Sequence, residues 1–312
     1  SDVYKRQMES YRLEGKTFVI DDYDKKPAFS SFLPGLAGVK GIPMWTFYTN
    51  RGQGMNSFGI DNKGNAIMEF NSANTAFENT QVKGFRTFLK IDGEYYEPFF
   101  AYEKEAKRQI RMNKNSFKVI EKNEKYGIEV TVNYFVLPNE SIGALVRQVS
   151  IKNIGSKAKD MEVIDGLPKI ITYGISNGEF KEMSNLFKSW AYIRNIDNKV
   201  PYYTLRASTK DSAEVSDVEG GYYYLTVRNG KLQDVIYDVD TVYGYDLSLM
   251  TPANFIENSL DGVLAKEQCF ANKVPCGFTP FKETVASGEE ISFASMMGFA
   301  CLLYTSPSHE TR

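Results

Sequence analysis

Histidine is almost missing from this chain: one residue in 312, His309, three positions from the end and beside Pro307 and Ser308. Ser-His-Asp triads, Cys-His pairs, His-ligated zinc and His general bases all need an ordered imidazole. A histidine in a terminal segment without periodicity suits none of them. Cysteine is scarce too, with three residues, Cys269, Cys276 and Cys301, and no C-x-x-C spacing, so a structural zinc site has no support. With no signal-peptide pattern at the front, these thiols read as reduced and unpaired, as in a cytoplasmic protein. Charge of one sign is also lacking. Lys and Arg number 37 against 39 Asp and Glu, a net charge of −2, which leaves no basic excess for phosphates and points away from nucleic acid. No apolar run approaches the ~20 residues of a membrane helix, so no membrane partner is expected.

What the chain has in quantity is aromatic residues, 21 Phe and 20 Tyr, and a period of two. Ile128, Val130, Val132, Tyr134 and Val136 alternate with Glu129, Thr131, Asn133 and Phe135, a strand with one buried face. After the turn at Pro138–Ser141 come Leu145, Val149 and Ile151. Beyond the loop Gly155–Asp160 come Met161 and Val163. Short connections predict an antiparallel meander for these three strands. Further strands are expected at Met44–Thr49, Phe58–Asp61, Ala66–Phe70 and Phe85–Ile91, the last ending on Asp92-Gly93, a dipeptide suited to a type I′ hairpin. Tyr223–Val227 before Asn229-Gly230 repeats that signal, and Ile291, Phe293 and Ser295 mark a last strand after Ser287-Gly288. One segment breaks the period: Phe180, Met183, Phe187 and Trp190 form a helical stripe. The expected fold is mainly β, a large antiparallel two-sheet supersandwich with one or two short helices.

The ends carry no such pattern. Residues 1–7 and 301–312 resemble translated sequencing-adapter read-through, so a β-supersandwich domain is expected over 8–300.

The most concentrated polar segment runs from Trp45 to Gly59. Gly52-Gln53-Gly54 lacks the third glycine and the Gly-Lys-Ser/Thr of phosphate loops, and a turn with left-handed glycines explains it better. Asn50, Arg51, Gln53 and Asn56 offer planar hydrogen-bonding groups, and Trp45 and Tyr48 offer aromatic faces. A pyranose presents hydroxyls around an apolar C–H face, so these six are the candidate substrate-binding residues. A β-turn flanked by core aromatics fits the same segment nearly as well. Carboxylates are scattered, and sequence shows no glycosidase pair. Asp21-Asp-Tyr-Asp24 lacks the glycine and the distant Glu of a calcium loop, so no metal is expected. The tyrosine-rich patches at 202–203, 222–224 and 243/245 are also what sheet propensity alone produces.

Two stretches carry a family likeness. Phe32-Leu-Pro-Gly-Leu-Ala-Gly-Val-Lys-Gly-Ile-Pro-Met-Trp-Thr-Phe-Tyr-Thr-Asn-Arg-Gly-Gln-Gly54 runs into Asn56-Ser-Phe-Gly-Ile60. The second is Glu129–Pro138 followed by Leu145–Asn153. Together they resemble the N-terminal domain of cellobiose-phosphorylase-like glycoside phosphorylases. The resemblance covers essentially Met8 to Ala300; it is specific as an ensemble, though no short motif in it is diagnostic alone. It implies a galactose-mutarotase-like supersandwich preceding an α/α toroid that holds the active site. It also implies cleavage of β-glucosides by inorganic phosphate to a sugar 1-phosphate, without another cofactor. The general acid of that family is an Asp on the toroid, so no catalytic residue is assigned to this chain. It would be a truncated fragment, inactive alone, whose partners are a β-glucan or β-disaccharide, its own missing toroid and a second copy in a homodimer. Two other readings stay open: a carbohydrate-binding sandwich without catalysis, and a self-sufficient enzyme such as an aldose mutarotase. The latter typically uses a His with a carboxylate, and the body of this chain has no His.

Overall fold

The computed structural model describes residues 10–101, 103–208, 213–214 and 218–301. Residues 1–7, Met8 and His309 lie outside them, as does the second terminal segment apart from Cys301, which ends a strand. The first elements are strands β1 (Tyr11–Glu14), β2 (Thr17–Asp21), β3 (Ser30–Ala37), β4 (Ile42–Thr49), β5 (Met55–Ile60) and β6 (Ala66–Met68), then helix α1 (Ala73–Lys83). Next come β7 (Arg86–Ile91), β8 (Glu94–Tyr96), β9 (Lys107–Met112), β10 (Ser116–Asn123), β11 (Ile128–Val136), β12 (Leu145–Asn153), β13 (Lys159–Leu167) and α2 (Asn177–Lys188). The remainder is β14 (Ala191–Arg194), β15 (Tyr202–Leu205), β16 (Gly220–Arg228), β17 (Lys231–Leu232), α3 (Val239–Tyr243), α4 (Ala253–Glu257), α5 (Leu260–Leu264), β18 (Gly277–Val285) and β19 (Glu290–Cys301).

The fold is mainly β, and every pairing between these strands is antiparallel. One sheet has 11 strands in the order β1-β2-β9-β10-β11-β12-β19-β16-β15-β14, with β17 on β16. Opposite it the second layer is divided into two four-stranded sheets, β18-β13-β7-β8 and β3-β4-β5-β6. A single apolar cluster holds side chains of all three, among them Val132 and Val149 of the large sheet, Leu89 and Val163 of the second, and Met44 and Phe58 of the third. At about 25 cal/mol per Å2 of apolar surface, this shared core is the main force holding the layers together.

The alternation in β11 places Ile128, Val130, Val132 and Tyr134 in that core. Both dipeptide hairpins form as the residues dictate. Asp92 and Gly93 have φ of 50° and 87°, Asn229 and Gly230 have 51° and 72°, and each turn reverses the chain between paired strands. The expected three-stranded meander is only two strands long. β11 pairs with β12, but β12 pairs next with β19, and β13 crosses into the other layer between β7 and β18. β13 is buried on both sides: Val163 faces the shared core, while Ile164 packs into a cluster with Phe88, Phe278 and the helices α3 to α5. A short loop therefore serves as a sandwich corner here, not as a hairpin.

Five α-helices form among the described residues, against the one or two expected. The helical stripe of Phe180 and Phe187 is buried in α2, which opens on a capping box between Ser176 and Glu179. Met183 sits at a kink (φ −125°) and is exposed, as is Trp190 just past the helix. Helix α1 buries only Ala76 and Thr80, small residues that leave no apolar stripe to read.

Candidate functional site

Strands β3, β4 and β5 put alternate residues on opposite sides, and the six candidate residues divide accordingly. Asn50 is fully buried and spends its whole amide on the chain: its Oδ1 accepts from Phe29 N at 2.9 Å, and its Nδ2 donates to Tyr23 O at 2.9 Å and Pro27 O at 3.0 Å. Arg51 is half-buried and donates to Asn50 O at 2.7 Å and Lys26 O at 3.2 Å. Tyr48 lies stacked on Phe117, with ring centroids 4.7 Å apart. Gly52 and Gly54 turn the chain with φ of 50° and 83°, left-handed as the sequence implies, and a Cβ on Gly54 would lie 2.8 Å from the Phe117 ring.

Gln53 is buried and reaches the centre of the sandwich. Its Nε2 donates to Thr87 Oγ1 at 2.9 Å, and its Oε1 accepts from Arg147. Arg147 also donates to Asp165 and, at 3.3 Å, to Tyr134 Oη, and its guanidinium lies 5.0 Å from the Phe85 ring centroid. Burial pushes the Tyr134 hydroxyl up to about 12, against the pull of the Arg147 guanidinium. Asp165 in turn accepts from Thr87 Oγ1 at 2.7 Å. This clamp ties β12, β13, β7 and the 50–54 turn together across the two layers. An amide committed to a buried guanidinium has nothing left for a sugar hydroxyl. Asn56 is buried beside α1, donating to Thr80 Oγ1 at 3.1 Å and Ala76 O at 3.4 Å. The structure thus places Asn50, Gln53, Asn56 and Tyr48 inside the molecule and does not bring the six onto one open surface.

Two more buried arginines follow the pattern. Arg86 binds both oxygens of Glu97, at 2.7 and 2.8 Å, and Arg108 binds Glu121 and Asp24 at 2.7 and 2.6 Å. Sequence reading missed all three arginines. The signal was parity: Arg147 shares a face with Leu145, Val149 and Ile151, and Arg108 with Ile110.

Trp45 is the aromatic candidate that faces outward. Its ring lies 5.8 Å from Phe70, edge-on, and 6.5 Å from Phe32; Phe32 in turn is 4.8 Å from Phe47. Phe47 is buried beneath, Trp45 and Phe70 are half-buried, and Phe32 is 52% exposed. Gly59, paired with Trp45, makes room for the indole, since a Cβ there would lie 2.8 Å from Trp45 Cζ2. The indole N–H donates to Asn62 O at 3.1 Å, which fixes the ring and leaves its face as the presented surface. On the same side of β3, Pro34 and Leu36 are exposed and line a groove of about 850 Å3. Its other walls include Asn113, Asn115, Asn133, Lys16 and Phe135. Asn113 uses its Oδ1 to hold Asn115 N and Ser116 N at 2.9 and 2.8 Å, and Asn133 donates to Gln148 at 3.2 Å. Strand β3 thus carries an aromatic face and one wall of an amide-lined groove. The groove's volume falls within the ~300–1,000 Å3 usual for small-molecule sites. No group of three or more His, Cys, Asp or Glu that could hold a metal occurs among the described residues.

No family model and no curated protein matches the chain. Solved structures similar to it include a polysaccharide lyase, at 10% identity and a TM-score of 0.44 over 83% of this chain and 32% of that one. Another is a provisionally assigned kojibiose phosphorylase from human microbiome, at 9% identity and a TM-score of 0.40 over 93% of this chain and 33% of that one. A third is a provisionally assigned aldose 1-epimerase from Klebsiella pneumoniae subsp. pneumoniae, at 11% identity and a TM-score of 0.30 over 92% and 88%. The chain spans about a third of the length of the first two.

Proposed function

We propose that the chain is the carbohydrate-recognising β-supersandwich part of a glycoside phosphorylase that cleaves β-glucosides with inorganic phosphate to a sugar 1-phosphate. The observation that carries this reading is a coincidence of place. The stretch Phe32–Ile60, which bears the family resemblance, also supplies Phe32 and Trp45 to the open aromatic face, Phe47 beneath them, and Pro34 and Leu36 to the groove beside it. Flat rings next to planar amides suit a β-linked glucan, whose pyranose rings present apolar C–H faces bordered by equatorial hydroxyls. In this reading the chain binds and orients carbohydrate and packs on a helical toroid, and the toroid supplies the general acid while phosphate is the nucleophile. A homodimer and a cytoplasmic location belong to the same proposal.

A second reading is a carbohydrate-binding sandwich without catalysis. The fact in its favour is that residues of this chain form both the aromatic face and the groove. Phosphate release from α-glucose 1-phosphate with β-glucoside acceptors separates the readings. The chain alone is expected to release none, and adding a helical toroid domain of this phosphorylase group is expected to restore release. Release by the chain alone would place the active site here and contradict the proposal. Carbohydrate binding with no restoration would favour the second reading.

A further inference from the structure

The groove beside the aromatic face differs from the other large grooves in the sign of its walls. It is lined by two cations, Lys16 and Lys114, and by no Asp or Glu. The groove over Asn254 includes Asp238, Asp240, Glu257 and Glu267, and the one over Lys90 includes Asp92, Asp160, Glu162 and Glu283. Both lysines ride on two-residue turns and are exposed. Gly15, at φ 61°, and Lys16 join β1 to β2, with Glu14 paired to Thr17. Lys114 and Asn115 join β9 to β10. Their turn is closed by Asn113 N donating to Ser116 O at 3.0 Å and braced by the Asn113 side chain. Strand β2 pairs with β9, Phe18 opposite Met112, so the two turns end neighbouring strands side by side. Like charges set together repel, and neither lysine has an ion pair among the described residues. The acids of the adjoining strands are taken elsewhere: Glu14 and Asp21 pair with Arg12 and Arg111. Lys118, across from the groove-wall residue Asn133, has no ion pair among the described residues either.

A groove walled by cations without countercharge draws negative charge from its ligand. Its other walls include Pro34, Leu36 and Phe135, apolar side chains that are exposed or half-exposed. A bare inorganic ion would fill little of about 850 Å3, so the charge is carried on a larger body with an apolar face. We infer that the groove takes an acidic oligosaccharide, whose rings lie against Pro34, Leu36 and Phe135 while its carboxylates or phosphates meet the Lys16 and Lys114 ammoniums. This deepens the carbohydrate reading by naming the substrate class, and it rests on that reading for the sugar.

The test is calorimetric titration of the full chain at low salt with four probes. These are a β-1,4-gluco-oligosaccharide, the same chain oxidised at its hydroxymethyl groups to glucuronate, the same chain phosphorylated at those groups, and inorganic phosphate. Two exposed ion pairs are worth about fivefold together, so the acidic chains are expected to bind about fivefold more tightly than the neutral one. Lys16→Gln combined with Lys114→Gln, both at exposed turn positions, is expected to erase that preference, and about 0.5 M sodium chloride to shrink it. The tighter of the two acidic chains then tells carboxylate from phosphate as the charge the groove is built for. Equal affinity for neutral and acidic chains, a preference that survives the double variant, or inorganic phosphate binding as tightly as the acidic chains would overturn the inference and leave the carbohydrate reading standing. No binding of any oligosaccharide would overturn both.

Discussion

The β3–β6 sheet has two faces built from alternate residues of the same strands. The inner face and the turn at its end hold Asn50, Gln53 and Asn56, all buried and bonded to the chain. The outer face holds Phe32, Trp45 and Phe70, whose rings lie within 6.5 Å of one another and keep part of their surface open. Residue chemistry alone puts amides and aromatics forward together as sugar contacts. Geometry separates them, because a polar side chain on the core side is consumed by the fold, whereas an aromatic on the other side stays available. The polar half is a structural clamp, and the aromatic half is the surface on which the proposed carbohydrate recognition rests.

The sharpest way to break this comparison is to attack the clamp. Arg147→Met leaves Asp165 buried without its cation and is expected to destabilise the chain by ~3–5 kcal/mol in urea unfolding. Arg147→Met combined with Asp165→Leu is expected to recover much of that loss, since no lone charge then remains. A loss below 1 kcal/mol for the single variant would mean that the clamp does not hold the layers together.

Alkaline pH probes the same region. The Tyr134 hydroxyl, at about 12 when folded, keeps its proton where the unfolded chain, near 10, loses it. The unfolded state then binds fewer protons, so stability is present below pH 10 and falls as pH rises toward 12, by up to about 3 kcal/mol from this group. Unfolding free energies of wild type and Tyr134→Phe between pH 8 and 11.5 check this, the variant falling less steeply. Parallel curves would remove Tyr134 as a source of the slope.

The outer face is sharpened at Gly59. Gly59→Ala drives a methyl into the Asn65 carbonyl oxygen and to 2.8 Å from both Ala66 Cα and Trp45 Cζ2, and is expected to cost ~1–3 kcal/mol. It should also red-shift the Trp45 fluorescence as the indole is lifted, measured against Trp190→Phe as background. An unchanged spectrum would show that the indole does not lie over Gly59.

Much of this fold was legible because strand parity and turn chemistry are local. The alternation of β11 and the Asp92-Gly93 and Asn229-Gly230 hairpins could be read residue by residue. The crossing of β13 could not, because a loop from Ile154 to Ala158 serves a hairpin or a corner equally well, and the choice depends on strands far away in sequence. Helices α3 to α5 were hidden for another reason: each is five residues long, too short for a 3.6-residue period to show. In the site, Trp45 was found by its residue type. Phe70 lay in a predicted strand but had no reason to stand out, and Phe32 was noticed only within a family resemblance. The buried arginines were overlooked because the inward rows were traced through apolar residues alone, and Arg147 stands between Leu145 and Val149 on such a row.

The most direct test of the division between clamp and recognition surface is calorimetric titration of a β-1,4-gluco-oligosaccharide into wild type and into the double variant Phe32→Ala/Trp45→Ala. Covering an aromatic ring with the apolar face of a sugar is worth about 1 kcal/mol or more per ring, so the double variant is expected to bind at least about tenfold more weakly while still folding cooperatively. Saturable binding by wild type that is lost in the double variant is the predicted result. A flat titration with wild type, or equal affinity in the two proteins, would contradict the assignment of the aromatic face to carbohydrate.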